Sequence, residues 1–157
     1  MEQMHVLSVL VENHAGVLSR IAGLFSRRMY NIDSLSVGVT ENPDVSRMTI
    51  VTHADDATLT QIKNQLAKLV NVIQIDELRK DSAALREHVL VKVSAADKAG
   101  VMQICDIFRA NIVDISTEIM TAELTGGPSK INAFIDLMDQ YEVKDLVRTG
   151  LTGLFRG

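Results

Sequence analysis

The chain has 157 residues, 46% of them hydrophobic and 23% charged, with a formal net charge of -4, few aromatics and no Trp. An apolar fraction of this size supports a buried core and excludes a disordered chain. Interspersed charge of net negative sign excludes the basic stripe of a nucleic-acid binder, and no segment approaches the roughly 20 apolar residues of a membrane span. The only cysteine, Cys105, has no intrachain partner, and Met1-Glu2-Gln3-Met4 supplies no charged leader before an apolar run, so the expected location is the cytoplasm.

Taken in chain order, Val6 to Val11 alternates as a strand with at least one buried face. Asn13 is expected to begin a helix whose apolar stripe is Val17, Leu18, Ile21, Leu24 and Phe25, with Arg20, Arg27 and Arg28 largely off it. Ile32, Leu35, Val37 and Val39 read as a second strand. Glu41-Asn42-Pro43-Asp44 is a turn and Met48 to Thr52 a third strand, giving a hairpin. Leu59, Ile62, Leu66 and Leu69 mark a second helix entered through Asp55 and Asp56, and Val72, Ile73 and Ile75 a fourth strand. The order is βαββαβ. Arg79 to Glu87 lacks strong strand character and reads as a linker.

After the linker the pattern restarts. His88 to Ser94 is a strand, and Val101, Ile104, Cys105 and Phe108 mark a helix face that takes Cys105 as a small core residue. Ile112 to Thr117 and Ile119 to Leu124 are β-rich, and Gly126-Gly127-Pro128 leads into a helix carrying Ile131, Phe134, Ile135 and Met138. Val143, Leu146 and Val147 form a last strand. Ala15-Gly16-Val17-Leu18 is echoed by Ala99-Gly100-Val101-Met102, and Asn31-Ile32-Asp33-Ser34 by Ile112-Val113-Asp114-Ile115; a small deletion in the second helix and its following turn is expected to account for the shortened offset. The fold class is therefore α+β, two tandem ferredoxin-like domains, each with two helices over one sheet face. The expected boundaries are 1–79, a linker 80–87, and 88–157. Both residue sets of the first strand are apolar, so the uncovered sheet face needs a cover, and a second copy of the chain is the simplest one.

Catalytic constellations are absent. There is no GxSxG turn beside His14, the four histidines (His5, His14, His53, His88) show no metal-ligand spacing, Asp55-Asp56 is explained as a helix cap, and phosphate-loop and dinucleotide fingerprints are missing. The turn from Asn13 to Leu18 is different. An Asn side-chain amide, a glycine, and the N–H groups of Gly16, Val17 and Leu18 at a helix start can hold a carboxylate without a cationic side chain. The competing reading is an ordinary Asx cap followed by a glycine that eases helix–sheet packing. Asn31 can add an amide from a neighbouring copy, or serve only as a turn residue.

The blocks Glu12-Asn13-His14-Ala15-Gly16-Val17-Leu18-Ser19-Arg20-Ile21, Gly23 to Arg28, Tyr30-Asn31-Ile32-Asp33-Ser34-Leu35, Ser46-Arg47-Met48-Thr49-Ile50 and the ending Gly150 to Gly157 resemble the small, regulatory subunit of acetohydroxyacid (acetolactate) synthase, over nearly the whole chain. The resemblance implies an N-terminal ACT domain that forms a homodimer. It implies no catalysis and no cofactor in this chain, and a large catalytic partner carrying thiamine diphosphate, Mg and FAD that makes 2-acetolactate in valine, leucine and isoleucine biosynthesis. The chain would activate that partner and confer feedback inhibition by valine. Carried over residue by residue, the effector site falls on Asn13, Gly16, Val17 and Leu18 of one ACT domain with Asn31 and Ile32 of its dimer mate. Asp97-Lys98 replaces Asn13-His14 in the second half, so no second site is expected there. The alternatives are a free-standing ACT-type sensor acting on another partner, a small enzyme on the same fold, and an RNA-binding open sheet. The last two are disfavoured by the missing catalytic groups and the missing aromatic platform.

Overall fold

Strand β1 (Gln3–Glu12) is the spine of the first sheet, and the side-chain alternation along it decides how everything else packs. In the computed structural model, which describes residues 1–157, the chain divides into two compact units: Met1–Ala84 together with Leu151–Gly157, and Leu85–Gly150. The first unit runs β1, α1 (Val17–Arg27), β2 (Ser34–Val39), β3 (Val45–Ala54), α2 (Asp56–Ala67) and β4 (Val72–Leu78), which is the expected βαββαβ order. Its sheet is antiparallel with strand order β2-β3-β1-β4, so β2 and β4 are its edges.

Leu7, Val9 and Val11 point to the helix side and pack with Met48 and Ile50 of β3. Helix α1 buries Val17, Ile21, Leu24 and Phe25, a stripe at spacings of four, three and one that presents one continuous face to the sheet. Each such side chain taken from water stabilises the unit by about 1.5–3 kcal/mol before the entropy of ordering it. Helix α2 adds Leu59, Ile62 and Leu66 and is capped by Asp55, whose carboxylate accepts the Thr58 N–H at 2.7 Å.

The opposite sheet face carries Val6, Ser8, Thr49, Val51 and Leu78, all under 5% exposed. These five residues are buried within the single chain. The carboxy-terminal segment returns to the first unit: Leu151 N–H donates to Ser34 Oγ at 3.2 Å and Arg156 N–H to the Ser82 carbonyl at 2.9 Å. Thr152, Gly153 and Leu154 border a cleft of about 340 Å³ with Ser36, Arg47 and Thr49.

The second unit repeats the plan: β5 (Ala83–Ser94), α3 (Lys98–Phe108), β6 (Asn111–Ile115), β7 (Ile119–Gly126), α4 (Pro128–Met138), a short 3-10 turn (Asp139–Tyr141) and β8 (Val143–Arg148), in sheet order β6-β7-β5-β8. Its core is Val89, Val91 and Val93 against Ile104, Cys105, Met120, Ile131 and Phe134. Both repeats end their first helix alike. Met29 and Arg109 take left-handed φ values of 57° and 60°, and the following N–H groups, of Tyr30 and Ala110, reach back to the carbonyls of Phe25 and Cys105 at 2.9 and 2.8 Å. Both first helices are 11 residues long, and α1 begins after Gly16 whereas α3 begins two residues before Gly100, so the shortened offset does not come from a shorter helix.

Two expectations change. Residues 83–87, read as linker, already belong to β5. The last residues form a further strand, β9 (Thr152–Phe155), which pairs with β5, whose first residues Ala83 and Ala84 lie in the same unit. Small and charged residues hid the first, and four residues at the end of a chain are too few to show alternation.

Candidate effector site at the first helix

The helix start is built from the turn that leaves β1. Asn13 N–H donates to the Asp44 carbonyl at 2.8 Å and its side-chain amide to the Pro43 carbonyl at 3.0 Å, so this residue ties the end of β1 to the β2–β3 turn. It neither begins the helix nor caps it. The capping position is Gly16, with φ 88° and no side-chain cap. That backbone region is costly for any residue with a Cβ, which is why glycine stands here. Space does not demand it, since a Cβ built on Gly16 would meet nothing within 4 Å.

The result is an open helix N-terminus. Gly16, Leu18 and Ser19 N–H groups have no acceptor within the chain, while Val17 N–H makes a long 3.4 Å bond to the His14 carbonyl. Of the three expected donors, Gly16 and Leu18 are therefore available and Val17 is partly engaged. The Val17 side chain is 3% exposed and belongs to the core, so only its backbone faces this region, whereas Leu18 is 44% exposed. The sequence did not single out Glu12, yet it borders the same turn: Asn71 Nδ2 donates to its carboxylate at 3.0 Å and His14 Nε2 lies 3.2 Å from it. A carboxylate beside free N–H groups offers opposite charges to a zwitterion.

The second repeat shows what a closed version looks like. Asp97 accepts the Gly100 N–H at 3.0 Å, so the chain's own carboxylate occupies the position an anion would take. A Cβ on Gly100 would also clash with Asp97 and lie 2.7 Å from Tyr141 Oη. The Asp97-Lys98 departure thus has a structural meaning: Asp97 holds in α3 the capping position that Gly16 holds in α1, and Gly100 lies inside the helix.

Asn31 and Ile32 lie elsewhere. Thr52 Oγ1–H donates to the Asn31 carbonyl at 2.6 Å, whereas Asn13 is tied to Asp44; the rise from Asp44 to Thr52 along β3, at about 3.3 Å per residue, is roughly 26 Å. One chain therefore does not bring the two halves of the expected site together. Both residues precede β2 rather than starting it, and Ile32 is half-buried against the core. The Asn31 amide donates to Asp33, which also pairs with His53. Asp33 was missed as a candidate; the Asn-x-Asp spacing at 31–33 was its signal.

Elsewhere the structure gathers no group of three or more His, Cys, Asp or Glu able to hold a metal, and no helix is long and apolar enough to cross a membrane. Cys105 is 2% exposed, and burial, helped by Asp106, pushes its thiol above the usual range. That disfavours the nucleophilic thiolate.

Comparison with known proteins fits this arrangement. The family described as the AHAS small subunit-like ACT domain matches residues 7–74, and the family described as the small subunit of acetolactate synthase matches residues 86–157. A probable acetolactate synthase small subunit from Archaeoglobus fulgidus is 48% identical over 155 residues, covering 98% of this chain and 97% of that protein. The chain belongs to the acetolactate synthase small-subunit family. The acetolactate synthase small subunit of Mycolicibacterium smegmatis is 45% identical over 155 residues, covering 98% and 91% of the two chains. The crystal structure of the acetolactate synthase small subunit from Thermotoga maritima superposes with a TM-score of 0.91 at 39% identity, covering 99% and 98%. The residues matched by the ACT-domain model include the open helix start of this chain.

Proposed function

We propose that this chain is the non-catalytic regulatory subunit of an acetolactate synthase, binding the large catalytic subunit, raising its activity and making it sensitive to valine. The observation that carries the reading is the uncapped helix start at Gly16, set against its Asp97-capped counterpart. The valine carboxylate would take the N–H groups of Gly16 and Leu18. The helix terminus contributes about 0.3–1 kcal/mol and burial of the side chain roughly 1.5–3 kcal/mol, leaving the amides of Asn13 and Asn31 to complete the affinity. One methylene discriminates by only about 1–3 kcal/mol, so leucine and isoleucine are weaker competitors rather than strangers.

The mate's contribution follows from strand geometry. Edge strand β2 has an unpaired side with Val37 and Val39 exposed. Pairing β2 with β2 of a second copy about a two-fold axis is antiparallel and sets the start of one strand beside the end of the other. Asn31 and Ile32 precede the start; the Asn13 turn lies at the end, where Thr40 N–H bonds the Val45 carbonyl. A homodimer through the ACT domains thus unites the two halves that a single chain holds apart. Valine would tighten that dimer and bias how the chain meets its thiamine-diphosphate-dependent partner, which requires that it bind one arrangement better than the other. The effector function is proposed to lie in the first unit, with the cytoplasm as the location.

Calorimetric titration with L-valine, followed by reconstitution with an acetolactate synthase catalytic subunit, tests this reading. Saturable binding, stimulated activity and inhibition by valine are expected. Absence of binding together with valine-independent stimulation overturns the effector assignment, and absence of stimulation overturns the partner.

A further inference from the structure

We propose that Asp33 is a positioning residue for the effector site: with His53 behind it and Thr52 holding the adjoining backbone, it fixes which end of the Asn31 carboxamide faces the ligand. The inference rests on the reading of Asn31 as an effector contact and extends it to residues that do not touch the ligand.

A free Asn carboxamide has a broad, two-fold torsion, so its NH₂ and C=O ends exchange places at little cost. Here Asn31 Nδ2 donates to Asp33 Oδ1, while Asp33 Oδ2 pairs with His53 Nδ1. An ionised carboxylate only accepts, so it admits the amide end of Asn31 and rejects the carbonyl end. That leaves one N–H and Oδ1 of Asn31 to turn outward, a donor for a carboxylate and an acceptor for an ammonium group. These are the two polar needs of an α-amino acid.

The backbone is held from the same side. Thr52 is fully buried and its hydroxyl donates to the Asn31 carbonyl at 2.6 Å, and Asp33 N–H donates to the Val51 carbonyl at 2.8 Å. Both flanks of Ile32 are thereby fixed to β3, and the loop cannot carry Asn31 away without breaking bonds at a buried strand. Asn31, Thr52 and His53 line a cavity of about 410 Å³ whose other titratable or charged groups are Glu2, Arg28 and Tyr30.

The test uses the full chain, with ¹⁵N–¹H spectra of the Asn31 side-chain amide and L-valine titrations. Asp33→Ala is expected to move the Asn31 amide resonances toward free-amide positions and to weaken valine binding roughly three- to tenfold, about one lost charge-assisted hydrogen bond. Asp33→Asn, which keeps an acceptor oxygen, is expected to recover part of both. His53→Gln is expected to weaken binding roughly two- to fivefold, the worth of an exposed pair, and less than Asp33→Ala, because Asp33 keeps its bond to Asn31. Asn31→Ala separates the two readings. If it weakens binding while Asp33→Ala leaves both spectrum and affinity unchanged, the positioning role is overturned and the effector site stands. If Asn31→Ala leaves binding unchanged, the effector assignment of Asn31 falls and the ligand role of Asp33 with it.

Discussion

The Asp97 carboxylate caps α3 by accepting the Gly100 N–H at 3.0 Å, while Gly16, at the capping position of α1, has no side chain to do so and Asn13 turns its amide to the Pro43 carbonyl, leaving that helix start open. Two helices of one ancestry of pattern thus differ by a single internal anion. Replacing Asn13 by Asp removes the amide donor that holds the Pro43 carbonyl and adds a negative charge to the turn that leads into the open helix start. Valine affinity should drop at least roughly tenfold, the worth of about 1.4 kcal/mol, with no loss of folding stability beyond the Pro43 bond. Calorimetry and a urea melt on the same variant check the two halves of the statement.

At Gly16, charge and backbone strain can be told apart. Gly16→Ala forces a Cβ into a left-handed position and is expected to destabilise the chain by about 1 kcal/mol while valine still binds, because the space above the residue is empty. Gly16→Asp adds a negative charge where the carboxylate would sit, and should abolish valine inhibition while leaving activation of the catalytic partner largely intact. Normal valine response in Gly16→Asp removes the site from this turn.

Glu87 is 4% exposed and receives two bonds from Arg148, at 2.6 and 3.0 Å, and Arg148 also donates to Asn132 at 3.1 Å. Glu87→Ala is expected to cost about 1.5–3 kcal/mol, since hydrogen bonds to a charged, buried group are lost together. Glu87 holds the Arg148 guanidinium above the usual arginine range, so this stabilisation is fully present below that range and is lost only above it. Denaturant melts of wild type and variant from pH 6 to 9 should run parallel.

Acid sensitivity should come from Asp55. Its carboxylate accepts from Thr58 at the start of α2, and that bond holds it below the usual 3.8. A depressed carboxylate stabilises the fold above its unfolded value and loses that contribution as pH falls through the lower, folded one. Asp55→Asn should show a shallower decline in melting temperature than wild type below about pH 4, near the unfolded value. Parallel curves would mean that other carboxylates dominate.

The sequence by itself determined the two βαββαβ repeats, because helical stripes such as Val17, Ile21, Leu24 and Phe25 and alternation such as Leu7, Val9 and Val11 are local periodic signals that burial enforces directly. It also marked the glycine at 16, since few other roles suit glycine between a strand and an apolar helix. The tertiary structure alone decided that Asn13 binds Pro43 instead of capping α1, that the tail at 151–157 rejoins the first unit, and that Asn13 and Asn31 stand at opposite ends of β3. Each of these depends on strand register and on partners more than twenty residues away, and no local propensity encodes which distant carbonyl a side chain will meet.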